Sequence, residues 1–452
     1  MAKILAFTSP AEGHLYPITP VLAELAARGH QITAVTLPGA EGSLPPGIAV
    51  RPLPPALAEA ELDDWDARGR VTRLRAAVRT LVGRMTDEVE ALQAAIAAED
   101  PDALLIDVSA PGAQIYAAAS GLPWASWAPM LLPLPSRGVP PYGPGLVPIR
   151  GPLGRLRDSA LQCVIDHYWD EVLPELNRMR VWYGLSPLRH TVDYFRQPPL
   201  QLNFTAPPFD DVRRDWPDSI RQIGPGLWAP TAPRPDWLDA IDRPLALVTC
   251  SNEFHNDGML AQVAMDALVR SKLYTVVTSG AIDPSTFRVP PNARVERFLP
   301  HHLLLDRAAV VVSHGGMGIT QKALAAGVPV CVVPFGRDQY EVARRVVGNE
   351  AGVWVSKNKL TPQRLHAGVE AAMACRPGAA RVAAGFAAAG GVTRGADLLE
   401  QHLVRVPVAR PAHAGSGTVG FRPPRSAPVI TASDSEEFTM PDATRASGGE
   451  LR

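Results

Sequence analysis

The sequence predicts an α/β chain built as two doubly wound parallel sheets facing across a cleft, and three observations predict it. Runs of β-branched and apolar residues alternate with helix-period stretches in both halves of the chain, the pattern of parallel strands joined by crossover helices. The run Val310-Val311-Val312-Ser313 passes directly into His314-Gly315-Gly316-Met317-Gly318 and then into a helix-forming segment ending on Gly327, which reads as strand, tight turn, helix. The N-terminus has the same format: a strand at 3–8, a loop at 9–16 carrying Gly13 and His14, a helix opened by Pro17 and stopped by Gly29, and a second strand at 30–37.

Composition sets the outer bounds. A chain of 452 residues with 46% hydrophobic content can bury two or three sizeable cores. With 44 Lys and Arg against 45 Asp and Glu, it has no overall pull toward nucleic acid or anionic membranes, so any phosphate binding must be local. Cys163, Cys250, Cys331 and Cys375 are widely spaced and lack metal-ligand spacing, which suits reduced structural thiols in a cytoplasmic protein. The first seven residues are too soon interrupted, by Pro10 and Glu12, to form a signal peptide. The longest apolar region, 103–134, holds Asp107 and several prolines, so no membrane span is expected.

The elements follow in order. After a Pro-rich loop, one or two helices are predicted between 64 and 98, then a strand at 103–107 that ends on the carboxylate of Asp107. A helix at 110–120 and a short strand at 122–127 lead into the Pro/Gly-rich apolar stretch 129–152, where Trp127, Met130 and Tyr142 are placed to contact an apolar ligand. Residues 155–183 read as helical, and 200–234 as a last strand and a Pro/Trp-rich linker. The second half begins with a strand at 244–250, continues through a helix at 257–270 and strands at 274–278, 310–313, 328–334 and 352–355, and closes with helices near 361–374 and 393–404. The predicted domains are 1–215 and 244–392 with a linker at 216–243, a C-terminal helix at 393–405 packing back on the first domain, and a disordered tail at 406–452.

The chemistry gathers at strand ends. Glycines 315, 316 and 318 let a ligand approach the backbone, and the amides and dipole of the following helix favour an anion, with His314 as a further donor. The strand at 328–334 delivers Asp338-Gln339 to the same edge, where a carboxylate and an amide suit sugar hydroxyls. On the opposite wall His14 and Asp107 both lie at strand C-termini, so the carboxylate can hold one imidazole N–H and leave the other nitrogen as a base. Singly, such a histidine is often a cap and such a carboxylate an N-cap; it is their meeting with the second-half motifs that favours a glycosyl-transfer site.

These residues resemble the GT-B fold, family 1 glycosyltransferases, especially the actinobacterial enzymes that glycosylate antibiotics and other lipophilic natural products. The resemblance covers roughly residues 1–404 and is most specific at His314-Gly315-Gly316-Met317-Gly318, Ala323-Leu324, Gly327-Val328-Pro329, Pro334 and Asp338-Gln339. It implies that His314, the glycine turn and Ser251 bind the donor diphosphate, that Asp338 and Gln339 contact the sugar, and that Phe298-Leu299 flank the base. It also implies that His14, supported by Asp107, deprotonates the acceptor hydroxyl in an inverting, metal-independent reaction without a cofactor. The expected partners are a UDP- or dTDP-sugar and an apolar acceptor, with no nucleic acid and with a homodimer left open. Two positions depart from the family: Ile319 stands where threonine is common, and Lys322 where a glutamate binds the ribose. A catalytically silent homologue that binds a nucleotide sugar or activates a partner protein, and a sugar-nucleotide epimerase, are the alternatives.

Overall fold

The computed structural model of the protein describes residues 1–60, 70–251 and 258–404. The expected tail, position 252 and part of the expected 64–98 helical region lie outside the described residues. The N-terminal half forms a seven-stranded sheet in the order β3-β2-β1-β4-β5-β6-β7, where β1 is Lys3–Phe7, β2 Gln31–Thr36, β3 Ile48–Pro52, β4 Ala103–Asp107, β5 Trp124–Ala128, β6 Gln201–Asn203 and β7 Ile220–Gln222. The second half forms a six-stranded sheet in the order β10-β9-β8-β11-β12-β13, with β8 Leu245–Thr249, β9 Tyr274–Thr278, β10 Ala293–Glu296, β11 Ala308–Ser313, β12 Val330–Val332 and β13 Gly352–Trp354. Every pairing among the described residues is parallel.

Parallel strands covered on both faces must be apolar on both, and the central strands divide accordingly. In the first sheet Ile4, Ala6 and Leu105 point to one core with Ile18, Leu22 and Trp127, while Leu5, Phe7, Leu104 and Ile106 point to another with Leu92 and Trp124. In the second, Leu245, Leu247 and Val311 face one layer, and Ala246, Val248, Val310 and Val312 the other. The halves are not independent. Leu131, Ala206 and Phe209 belong to the second sheet's core, and Phe209 meets Phe386 edge-on with ring centroids 5.8 Å apart. At the chain's far end Ala396, Leu399 and Leu403 enter the first sheet's core, and Arg28 pairs with Asp397 at 2.6 Å and with Glu400 at 3.0 Å.

Local readings differ in five places. The first helix, Glu12–Ala27, starts ahead of Pro17 and carries both Pro17 and Pro20 inside it. Burial of Leu15, Ile18, Val21, Leu22 and Leu25 outweighs the lost proline hydrogen bonds, so His14 sits in the helix's first turn. The edge strands β3, β7 and β10 went unpredicted because residues such as Arg51, Pro52, Arg221, Gln222, Arg294 and Glu296 break the apolar pattern that marks a central strand, and β7 lies inside the stretch 216–243 read as a linker. Helix Arg376–Ala388 was also missed: its alanine-rich sequence shows little apolar periodicity, although Ala379, Val382 and Phe386 are buried.

Candidate active site

Open parallel sheets bind ligands where the strand order reverses, because the two flanking crossovers leave on opposite faces and open a crevice. In the first sheet the reversal lies between β1 and β4, in the second between β8 and β11. The residues singled out from the sequence follow those strands: His14 after β1 and Asp107 at the end of β4, Ser251 after β8 and His314 after β11.

Asp107 is fully buried, and each carboxylate oxygen is occupied. Oδ2 accepts the Ser9 N–H at 2.9 Å, Oδ1 accepts the Ser109 N–H at 2.8 Å, and His14 Nδ1 lies 2.9 Å from Oδ2 and 3.1 Å from Oδ1. With both carboxylate oxygens already accepting backbone N–H groups, the imidazole is assigned as the donor through Nδ1, which leaves the Nε2 lone pair. The His14 side chain is 22% exposed, enough to present one ring edge outward. Trp127 steadies the same turn from behind, its indole N–H donating to the His14 carbonyl at 3.3 Å.

On the second wall the glycines are required by space. Gly315 has φ +93°, and a Cβ there would fall 2.8 Å from Val332 Cγ1; a Cβ on Gly316 would fall 2.6 Å from His314 Nε2. Helix Met317–Ala325 begins at once, so the amides of Met317 and Gly318 belong to a first turn that has no intrahelical acceptors to offer them. The Gly315 amide does not join them, since it donates to Ser313 Oγ at 3.2 Å.

Lys322 projects from this helix one turn beyond Gly318. Side chains on a helix lean toward its N-terminus, and the space where a Gly318 Cβ would stand is open. Lys322 has no carboxylate within ion-pair distance among the described residues, and burial pushes its ammonium down to about 8. Nearby, burial first and the Lys322 charge second push the His301 imidazole down to about 3, and its Nε2 lies 3.1 Å from Thr278 Oγ1.

Several expected contacts are placed differently. Trp127 is wholly buried in the core and cannot face a ligand as an exposed loop residue would. Leu299 is likewise a core residue, whereas its neighbour Phe298 is 51% exposed. Met317 also faces the core, leaving its backbone to the turn. Gln339 is buried, and its Oε1 accepts the N–H groups of Phe335 at 2.7 Å and Gly336 at 3.1 Å; the amide therefore shapes the loop that presents Asp338, a half-buried residue. Tyr142 crosses to the second half and packs against its core, where burial first, then Asp338 and Glu341, push its phenol well up. The loop carrying it is pinned by the N–H groups of Gly143 and Gly145, which donate to Glu341 Oε1 at 3.0 and 2.8 Å. Met130 stays at the end of β5, half-buried, with its carbonyl accepting from Asn203 Nδ2 at 2.9 Å.

Two parallel sheets, each with polar residues gathered at its reversal point, have the architecture of the GT-B class of two-domain α/β enzymes. A family model described as the C-terminal domain of erythromycin biosynthesis protein CIII-like proteins matches residues 262–394. The 4'-demethylrebeccamycin synthase of Lentzea aerocolonigenes is 31% identical over 424 residues, spanning 88% of this chain and 99% of that protein. A rhamnosyltransferase of PGL/p-HBAD biosynthesis from Mycobacterium bovis is 32% identical over 289 residues, 60% of this chain and 59% of that one. Among solved structures, the calicheamicin glycosyltransferase CalG4 superposes with a TM-score of 0.70 at 22% identity, covering 90% of this chain and 99% of its own. The glycosyltransferase VinC, solved in complex with dTDP, does so with a TM-score of 0.67 at 20% identity, covering 89% and 100%. The chain belongs to the GT-B natural-product glycosyltransferases, and it is a glycosyltransferase. Among the described residues no helix is long and apolar enough to cross a membrane.

Proposed function

We propose that this glycosyltransferase moves a sugar from a nucleoside-diphosphate sugar, of the uridine or thymidine type, to a hydroxyl of a lipophilic small molecule, with inversion at the anomeric carbon. The observation that carries this reading is the His14–Asp107 pair at the strand reversal, with Asp107 held by two backbone N–H groups and a ring edge of His14 open to the outside. The acceptor O–H gives its proton to His14 Nε2 as the oxygen attacks the anomeric carbon, and the bond to the diphosphate oxygen breaks with its electron pair. Asp107 steadies the imidazolium that forms. The charge of the departing diphosphate falls to His314, Ser251, the first-turn amides of Met317 and Gly318, and Lys322, so these groups do the electrostatic work and no metal is given a step.

Asp338 is assigned to the sugar hydroxyls, with Gln339 shaping its loop, and Phe298 to the face of the base. Met130 and the pinned loop around Tyr142 are assigned to the acceptor side. The dTDP complex of VinC supports a nucleotide donor here, and the 4'-demethylrebeccamycin synthase relative supports a natural-product acceptor. A thermal-shift panel of UDP, dTDP and their glucosides tests the donor assignment, since a ligand that binds only the native state raises its melting temperature. No shift with any of them would remove the diphosphate site. Sugar transfer to any phenolic or polyketide acceptor would set aside a silent binding role, which the Lys322 substitution otherwise favours.

A further inference from the structure

Behind the His14–Asp107 pair lies an ion pair that the proposed mechanism does not use. Arg84 precedes helix Met85–Glu99 and Glu88 stands one turn into it; both are buried, with Arg84 Nε 3.7 Å from Glu88 Oε1. Arg84 Nη2 donates at 3.4 Å to Ser9 Oγ and at 3.4 Å to the Ser109 carbonyl. Ser9 and Ser109 are the two residues whose backbone N–H groups hold the Asp107 carboxylate. Glu88 Oε2 accepts the Gly112 N–H at 2.7 Å, and a Cβ on Gly112 would fall 2.0 Å from the Met85 carbonyl oxygen. The start of this helix therefore grips the turn that follows β4 from three sides. Burying polar ionisable side chains such as these seldom gains net stability over well-packed apolar residues, so their place here points to a task other than stability.

We infer that Arg84 is a positioning residue for glycosyl transfer: by bridging Ser9 and Ser109 it locks together the turns after β1 and β4 and so fixes the Asp107 carboxylate beneath His14. The inference rests on the reading of His14 as the base. Its guanidinium also sets a fixed positive charge behind the pair, which keeps imidazolium less favoured than it would be beside Asp107 alone. Other titratable groups near these turns are Glu12 and Tyr16, hydrogen-bonded to each other on the first helix, Glu88, whose carboxyl burial pushes up to about 8, and Tyr194, whose O–H donates to the Val108 carbonyl at 2.8 Å. Arg180 lies beyond Tyr194. Apart from Glu88 where noted, all of these remain in the variants below.

The test reads His14 directly, by nitrogen–proton NMR of histidine-labelled full-length protein titrated across neutral pH, with His14→Ala giving the assignment. In Arg84→Met the His14 midpoint is expected to move upward by about one pH unit, while Arg84→Lys stays near wild type. The double variant Arg84→Met/Glu88→Gln removes both charges but keeps an acceptor for the Gly112 N–H, and it decides the matter if the single variant does not fold. With dTDP-glucose and umbelliferone as probes, loss of the bridge should lower kcat about tenfold or more, with the donor KM within about twofold of wild type. A His14 midpoint that is the same in wild type and in both Met variants would overturn the inference, as would a shift as large in Arg84→Lys as in Arg84→Met. Failure of wild type to act on the probe pair would count against the proposed substrates, leaving the NMR titration to decide on Arg84.

Discussion

The two walls of the cleft handle charge in opposite ways. On the first, the groups around the candidate base are held by partners: Asp107 by His14 and two backbone N–H groups, Arg84 by Ser9 and the Ser109 carbonyl. On the second, among the described residues, a half-buried lysine stands without a carboxylate one turn along the helix that follows the glycine turn. Pairing on the first wall fixes one proton on Nδ1 and holds one geometry, which is what a base needs before substrate arrives. An uncompensated cation on the second wall leaves electrostatic energy to be gained when an anion docks. On the proposed reading, the first wall is preorganised for proton transfer and the second is prepared to receive charge.

If that division is right, variants on the two walls should separate turnover from binding. The largest effect is expected from His14→Ala: kcat should fall by at least about a hundredfold, while calorimetric affinity for dTDP stays near wild type. Unchanged turnover would take His14 out of the mechanism, and a parallel loss of dTDP affinity would erase the division. The next largest belongs to His314→Ala, which removes one charge-assisted contact and should weaken dTDP binding by about tenfold to a hundredfold. Equal affinity in wild type and variant would sink the diphosphate assignment of His314 without touching the first wall.

How much of this was legible beforehand depends on the reach of each signal. The central strands were, because a strand covered on both faces reads as an unbroken apolar run; β3 and β10 were not, because an edge strand need bury only part of itself. His14, Asp107 and His314 were visible from their position at strand ends, where helix termini and turns gather polar groups. The roles of Trp127, Leu299 and Gln339 were misplaced for one reason: residue type suggests what a side chain can contact, but its direction is set by packing. Trp127 lies on a strand face that the first sheet's core claims, and the Gln339 amide oxygen is taken by two loop N–H groups. Arg84 and Glu88 lie one turn apart on an otherwise amphipathic helix, a spacing that surface pairs share. Only the approach of the β4 turn, some twenty residues on by chain, makes that pair buried, and no local pattern records it.

The subtlest consequence of the contrast is a pH dependence that only the second wall should show. The Lys322 ammonium sits at about 8 because burial disfavours its charge. A bound diphosphate favours the charged form and so raises that value, which means nucleotide binding takes up a proton wherever the pH lies between the two. Below about 7 the lysine is charged in both states and contributes no dependence; as pH rises through about 8, affinity should fall, by at most about tenfold per pH unit for one proton. The terminal phosphate ionises near about 6, so its own titration does not reach this window. Calorimetry of dTDP from about pH 7 to about pH 9 should therefore show declining affinity in wild type, and proton uptake in buffers of different ionisation enthalpy. Lys322→Met should bind more weakly at neutral pH and lose the decline above it. A decline of equal slope in that variant would place the titrating group elsewhere, and a flat wild-type profile would mean that Lys322 faces away from the phosphates.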